Sequence, residues 1–160
     1  MQAFDNATFD VILVGAGIMS ATLATLLKEL QPSLRICVVE RLRGYGLESS
    51  DSWNNAGTGH SAFCELNYTP SAPDGTVDVK KALKIANNFE ISKELWAFLV
   101  ERGSLPSAAD FIRRVPHMSV VWDDNCEYLR DRFAAMLQHP QFSDMVFSND
   151  PATLTQWMPL

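Results

Sequence analysis

The chain has 160 residues, of which 47% are hydrophobic, and a formal net charge of −6 at pH 7. This length accommodates about one domain with a core of its own. The acidic balance argues against general affinity for nucleic acid, and no basic run suggests a polybasic membrane anchor.

The first predicted elements form a strand, a helix and a second strand. Residues 11–14 are a short, uncharged run rich in β-branched side chains, typical of a parallel strand buried on both faces. Leucines at helical spacing predict a helix from about Ile18 to Leu30, with Pro32 just beyond its end. A second apolar run, 34–39, predicts the next strand, which ends at Glu40. The order is that of a dinucleotide-binding βαβ unit.

The turn between the first strand and the helix carries the chemistry of that unit. Gly15 makes the tight turn, and Gly17 lets the backbone approach a pyrophosphate at the positive end of the helix dipole. Ser20 replaces the usual third glycine with another small residue. The carboxylate of Glu40 suits the two hydroxyls of an adenosine ribose and repels a 2′-phosphate. A glycine-rich turn that binds nothing is the alternative interpretation.

A long irregular segment, 41–69, follows the βαβ unit and is rich in glycine and serine. Long irregular segments inside compact domains are usually functional or disordered. The part from Ser49 to Ser61 is small and rich in amides, with glycines that allow a backbone to touch a ligand. We therefore predict a second cofactor-contact loop here, against the alternative of a solvated surface loop.

The remaining chain predicts alternating helices and short strands. In chain order these are a helix over 77–102 stopped by Gly103, an irregular or edge strand over 111–122, a helix over 123–138 capped by Asp123 or Asp124, a short strand over 145–147 and a helix from Asp150 into Trp157. The chain ends just after that last helix starts, and one βαβ unit leaves a sheet edge exposed. We therefore expect an N-terminal fragment of a longer enzyme.

The cysteines and the N-terminus bear on the compartment. The chain has three cysteines, Cys37, Cys64 and Cys126, an odd number at wide spacing. This pattern favours neither a disulfide framework nor a zinc site, so we expect no bound metal. Residues 1–9 lack the basic and apolar regions of a secretory signal. A cytoplasmic protein fits both observations.

Several stretches of this chain have the pattern of one known family. The most specific is the block from Trp53 to Ala62, which reads Trp-Asn-Asn-Ala-Gly-Thr-Gly-His-Ser-Ala. The other stretches are 14–23, 39–42, 65–70, 115–119 and 157–160. Together they resemble the malate:quinone oxidoreductase family, with which Ser20, unusual in a general dinucleotide fingerprint, also agrees.

The resemblance implies an α/β fold with a Rossmann-like FAD-binding βαβ unit and an incomplete α+β piece of a substrate domain. The implied division is 1–70 for the FAD-binding unit with its second loop and 71–160 for the partial substrate region. The implied activity is FAD-dependent oxidation of (S)-malate to oxaloacetate, with electrons passed to a membrane quinone in the tricarboxylic acid cycle. Family members are longer and lie peripherally on the cytoplasmic face of the inner membrane, so membrane association is expected through regions not present here.

The resemblance also assigns roles to individual residues. Gly15, Gly17 and Ser20 belong to the pyrophosphate turn, while Glu40 and Arg41 lie at the adenosine ribose. An ordinary solvated side chain is the alternative for Arg41. The loop residues expected near the cofactor are Ser50, Asn54, Asn55, Ala56, Gly57, Thr58 and Gly59.

Three further groups are candidates on the substrate side. His60 beside a flavin suits a substrate carboxylate or the malate hydroxyl, although a structural histidine bonded to the loop backbone is the plainer interpretation. Arg113 and Arg114 suit a dicarboxylate, but adjacent strand residues face opposite sides, so at most one points into a site. His117 is expected as a satisfied core histidine in an apolar strand.

Three other functions remain open from the sequence. The first is an FAD-dependent dehydrogenase of another 2-hydroxy acid, such as 2-hydroxyglutarate. The second is a truncated, non-catalytic cofactor-binding module. The third, an NAD-dependent dehydrogenase, is disfavoured because its fold has no need of the long Gly/Asn block after Glu40.

Overall fold

The computed structural model describes residues 8–123 and 125–159. The chain divides into two compact units, Met1–Thr58 and Gly59–Leu160. The regular elements are β1 (Val11–Val14), α1 (Ile18–Leu30), β2 (Ile36–Val39), α2 (Lys80–Glu101), α3 (Ala108–Phe111), α4 (Asn125–Leu137) and α5 (Pro151–Trp157), with 3₁₀ turns at Leu66–Tyr68 and Pro140–Phe142.

The first unit is a parallel βαβ unit, as the sequence predicts. β1 and β2 pair in parallel with Val11 opposite Ile36 and Val14 opposite Val39. The helix α1 has the bounds that the leucine spacing predicts, and β2 begins two residues later than the apolar run does. The fold is therefore mixed α/β, with α1 as the crossover that parallel strands require.

The strands of this unit are less buried than their composition predicts. Leu13 and Cys37 are buried, but Ile12 and Val14 expose 62% and 85% of their surface. The expectation of burial on both faces is wrong for this chain, because the described sheet has only two strands and its helix covers one face. Apolar side chains that would lie inside a larger sheet thus meet solvent.

The second unit is helical. Its core contains Ala82 and Ala86, one turn apart on α2, which pack with Ala62, Met136 and Phe142. Small side chains on one face of a helix allow close approach of neighbouring segments, and here large residues fill the space beside them. The predicted helix over 77–102 is confirmed with slightly shorter bounds.

Two helix boundaries follow the predicted end signals. Gly103, just after α2, has a φ of +72°, which favours glycine. At α5, the Asp150 carboxylate accepts the Thr153 amide at 2.8 Å and Pro151 occupies the first turn. The helix predicted over 123–138 is α4, and the predicted cap Asp124 lies outside the described residues.

Two predicted strands are wrong. The segment 111–122 begins with the end of the short helix α3 and then runs as unpaired chain, and residues 145–147 form no strand. Val115 and Trp122 expose 72% and 70% of their surface. A strand exists only with a hydrogen-bonded neighbour, and the described residues supply none for either segment.

Candidate functional site

The turn that joins β1 to α1 is shaped by two glycines. Gly15 has a φ of +90°, a left-handed conformation that disfavours residues with a Cβ, and its amide donates to Val39 O at 2.7 Å. Gly17 precedes α1 as its N-cap, in an extended conformation. The turn therefore lies directly at the positive end of the helix dipole, where anions bind.

The carboxylate of Glu40 is hydrogen-bonded to this turn. One carboxylate oxygen accepts the Ala16 amide at 2.7 Å, and the other accepts the Leu42 amide at 2.8 Å. These bonds, from Leu42 first and then Ala16, lower the pKa of Glu40. The acid at the end of β2 is thus held ionised beside the glycine turn.

Ser50 reaches the N-terminus of α1 from the following loop. Its hydroxyl accepts the Ile18 amide at 2.9 Å, 32 residues away in sequence. A Cβ on Gly17 would lie 3.1 Å from the same hydroxyl oxygen. Ser50 therefore satisfies one of the free amides at the helix start and limits the side chain that residue 17 can carry.

The loop after β2 is bonded to the turn through its backbone, and its amide side chains bond within the loop. Gly46 N donates to Ala16 O at 2.9 Å. Asn54 Nδ2 donates to Glu48 O and Asn55 Nδ2 donates to Ser49 O, each at 3.1 Å. The two asparagines thus fix the loop backbone.

The other predicted cofactor contacts are exposed or half-buried. Arg41 lies 3.8 Å from Glu48 in a solvated ion pair, which stabilises little. Ser20 is half-buried on α1, and residues 54–58 are exposed at the end of the first unit. Within this unit the structure brings Gly15, Gly17, Glu40 and Ser50 together around one turn.

His60 belongs to the second unit, where it hydrogen-bonds its own loop. Its Nδ1 accepts the Ala62 amide at 3.3 Å, and its Nε2 lies 3.5 Å from Cys64 Sγ. The ring also lies 5.4 Å from the Tyr68 ring, centroid to centroid. These contacts are those of the structural histidine that the sequence leaves as the plainer interpretation.

Gly59 has a packing role within the same unit. A Cβ on this residue would lie 2.5 Å from Phe89 Cζ on α2. No side chain fits at that distance without displacement of the aromatic ring. This contact accounts for a glycine at position 59 by packing alone.

Two residues of α4 that sequence reasoning missed hold the segment 60–69. Arg132 is buried and donates from Nε to Thr69 Oγ1 and from a terminal nitrogen to Phe63 O, both at 2.8 Å. The Tyr128 hydroxyl lies 2.9 Å from Leu66 O and 2.8 Å from Thr69 O. No local signal marks these residues, because their partners lie about 60 residues earlier.

Burial lowers the pKa of Arg132, and its electrostatic interactions with Tyr128 and Cys64 oppose that change. The guanidinium is nevertheless satisfied by hydrogen bonds to neutral oxygens, so it acts as a fixed structural cation beneath the segment 60–69.

The other candidates on the substrate side do not form a cluster. His117 is exposed, so the expectation of a core histidine is wrong, because its segment forms no strand. Arg114 pairs with Asp144 at 2.9 Å on the surface. Arg113 Nε donates to Ala109 O at 3.4 Å, a contact local to α3.

Comparison with known proteins identifies the family. The profile of the malate:quinone oxidoreductase family matches residues 7–160. The chain belongs to this family. A probable malate:quinone oxidoreductase of Flavobacterium johnsoniae is 59% identical over 152 residues, which are 94% of this chain and 31% of the relative.

Other malate:quinone oxidoreductases show the same coverage. The probable enzyme of Xylella fastidiosa strain M12 is 55% identical over 160 residues, 99% of this chain and 28% of the relative. That of Rhodopseudomonas palustris is 54% identical over 154 residues, 96% of this chain and 31% of the relative. The chain thus spans less than a third of the length of these curated relatives. None of its described helices is long and apolar enough to cross a membrane.

Proposed function

We propose that this chain is the N-terminal FAD-binding part of an enzyme that oxidises (S)-malate to oxaloacetate and passes the electrons to a membrane quinone. Membership in the malate:quinone oxidoreductase family supports the reaction. The observation that carries the cofactor assignment is the glycine turn at the start of α1 with the Glu40 carboxylate bound to it. In this proposal the first unit is a Rossmann-like FAD-binding βαβ unit and the second belongs to the substrate region.

The residues around the turn fit an FAD diphosphate. Gly15 provides the left-handed turn and Gly17 leaves the backbone free of a Cβ where a pyrophosphate approaches. The first amides of α1 point in the same direction, and the Ser50 hydroxyl that one of them now meets is a neutral partner that a phosphate oxygen can replace.

Glu40 also fits, although both its oxygens already accept backbone amides. A carboxylate has about four lone-pair sites, so two remain for hydroxyl donors of an adenosine ribose. Its lowered pKa keeps it ionised. The two amide bonds fix the orientation of the carboxylate in advance, which reduces the entropy cost of binding.

When bound, FAD supplies the two-electron acceptor for oxidation of the malate hydroxyl carbon. Within this chain, the backbone amides of Asn55, Ala56, Thr58 and Gly59 lie on exposed residues and can stabilise negative charge on a reduced ring. The amides of Asn54 and Gly57 already donate, to Asp51 O and Asn55 Oδ1. For His60 we propose orientation of the loop as the primary role, because Nδ1 accepts the Ala62 amide and therefore carries no proton in the neutral ring.

Titration of FAD with this chain tests the cofactor assignment. We expect saturable quenching of flavin fluorescence, and its loss in Gly17→Val, because the valine side chain would occupy the position of the pyrophosphate and contact Ser50. The matched control is Gly44→Val, because Gly44 also lacks a positive φ and a Cβ there would meet only the side chain of Leu47. Binding of NADH without FAD, or equal FAD affinity of the Gly17→Val chain, would overturn the assignment.

The activity is tested on the longer enzyme in which this chain is the N-terminal part. We expect malate-dependent reduction of a quinone analogue, and its loss in Gly17→Val. A panel of 2-hydroxy acids in the same assay tests the substrate, and a preference for 2-hydroxyglutarate over malate would overturn that part of the proposal while leaving the FAD site intact.

A further inference from the structure

The segment 60–65 brings together three side chains that are common metal ligands. His60, Cys64 and Glu65 each offer one ligand atom, and these atoms lie within 4.8 Å of one another. The cysteine spacing alone gives no such signal, because the set combines three residue types at positions i, i+4 and i+5. We propose that these residues form a binding site for Zn²⁺, with the fourth position left to water or another ligand.

The separation of the two softest ligand atoms already suits zinc. Cys64 Sγ lies 3.5 Å from His60 Nε2. Two ligands on one tetrahedral zinc, with Zn–S of about 2.3 Å and Zn–N of about 2.0 Å, are about 3.5 Å apart. One thiolate, one imidazole and one carboxylate is a donor set that selects zinc over magnesium or calcium, which prefer oxygen ligands.

The surrounding structure holds two of the ligands in place. Arg132 and Tyr128 on α4 fix the segment through Phe63 O and Thr69 O. His60 and Cys64 are half-buried, whereas Glu65 is exposed, and the Glu65 side chain makes no capping bond to the 3₁₀ turn that follows it. The carboxylate can therefore close on a metal while the histidine and the cysteine stay fixed.

Two existing contacts must change when a metal binds. His60 Nδ1 now accepts the Ala62 amide, so the proton of the neutral ring lies on Nε2. Coordination through Nε2 moves that proton to Nδ1, which breaks the bond to Ala62, and the metal replaces the hydrogen between Nε2 and Cys64 Sγ. The thiol proton of Cys64 is released to solvent, since the thiolate is the ligand. The bond to Ala62 is long, at 3.3 Å, so its loss is a minor cost beside coordination by a nitrogen, a sulfur and an oxygen atom.

Titration of the reduced chain with Co²⁺, a spectroscopic substitute for zinc, tests the site. We expect one Co²⁺ per chain, with a thiolate-to-cobalt charge-transfer band and strong visible bands typical of tetrahedral cobalt, all displaced by Zn²⁺. Cys64→Ser should abolish the charge-transfer band, whereas Cys126→Ser, which removes a more exposed thiol, should leave it unchanged.

Glu65→Gln gives a second variant that replaces an exposed side chain and so preserves the fold. We expect it to retain the charge-transfer band and to weaken Co²⁺ affinity at least about tenfold. Loss of a residue that only supports a metal ligand already weakens affinity by about that factor, and loss of a ligand itself should do no less. Absence of the band in the folded wild-type chain at millimolar Co²⁺, its persistence in Cys64→Ser, or unchanged affinity of Glu65→Gln would each overturn the site as proposed. None of these readouts depends on FAD or malate.

Discussion

The Glu40 carboxylate accepts the Ala16 amide at 2.7 Å, across 24 residues of sequence. This bond ties the end of β2 to the glycine turn that follows β1, so the acid predicted to contact a ribose also organises the turn. The positions of the turn and of the acid are therefore linked within one parallel strand pair.

The amide bonds to Glu40 give a testable pH dependence. The bonds from Leu42 and Ala16 lower the pKa of Glu40 from its ordinary value of 4.5. A depressed folded-state pKa contributes stability that is present above the unfolded pKa and is lost as the pH falls through the folded value. We expect Glu40→Gln to remove this component, so that urea midpoints of the variant fall less steeply below about pH 4.5 than those of the wild type.

Glu48→Gln is the matched control, because Glu48 is an exposed carboxylate in a 3.8 Å surface pair with Arg41. Its profile should parallel that of the wild type. If Glu40→Gln also follows the wild-type profile below about pH 4.5, the amide bonds do not hold the carboxylate ionised in solution.

Arg132 is expected to stabilise the second unit through the segment 60–69. Arg132→Met keeps an apolar stem of similar length but leaves Thr69 Oγ1 and Phe63 O without their donor. We expect the free energy of unfolding to fall by about 2 kcal/mol, since hydrogen bonds from charged groups stabilise more than neutral ones and relief of guanidinium burial offsets part of that. Urea unfolding followed by helical circular dichroism measures it.

Arg130→Met supplies the comparison on the same helix. Arg130 is half exposed and pairs with Glu127 and Asp131, each at 3.1 Å. Solvated pairs of this kind contribute about 0–1 kcal/mol, so the control should change stability far less. Equal effects of the two substitutions would contradict the structural role of Arg132.

Gly59 should tolerate alanine only if Phe89 is made smaller. The added Cβ would lie 2.5 Å from Phe89 Cζ, and overpacking of this kind costs about 1–3 kcal/mol. We expect Gly59→Ala to destabilise the chain and Gly59→Ala with Phe89→Leu to be more stable than the sum of the single effects. A double-mutant cycle from urea unfolding measures the coupling, and additive effects would contradict a clash between the alanine Cβ and the Phe89 ring.

The sequence predicted the parts of this fold that depend on local signals. β1, α1 and the turn between them follow from an apolar run, two glycines and leucines at helical spacing, all within 20 residues. The strand predicted over 111–122 failed because a strand depends on a partner, and none of the described residues pairs with it.

In the candidate site, too, some features follow from local sequence signals and others depend on residues distant in sequence. Glu40 lies at the turn because it directly follows β2, which pairs in parallel with β1, and the sequence predicts both strands. The contacts of Arg132 and Tyr128 with Thr69 connect residues about 60 positions apart, and a single arginine or tyrosine on a helix is ordinarily a surface residue. The proximity of Cys64 to His60 follows from the turn conformation, which no residue pattern specifies.

The Ser50 hydroxyl should report on occupancy of the α1 N-terminus. Ser50→Ala removes the acceptor of the Ile18 amide and should lower the free energy of unfolding by about 1 kcal/mol, the usual cost of a lost helix cap. If an FAD pyrophosphate replaces this hydroxyl, as we propose, the variant should regain stability on addition of FAD, and the difference from wild type should shrink as FAD saturates. Ser49→Ala, an exposed neighbour, is the control. A constant difference at every FAD concentration would mean that Ser50 keeps its bond to Ile18 when the cofactor is bound, and that the phosphates contact other amides of the turn.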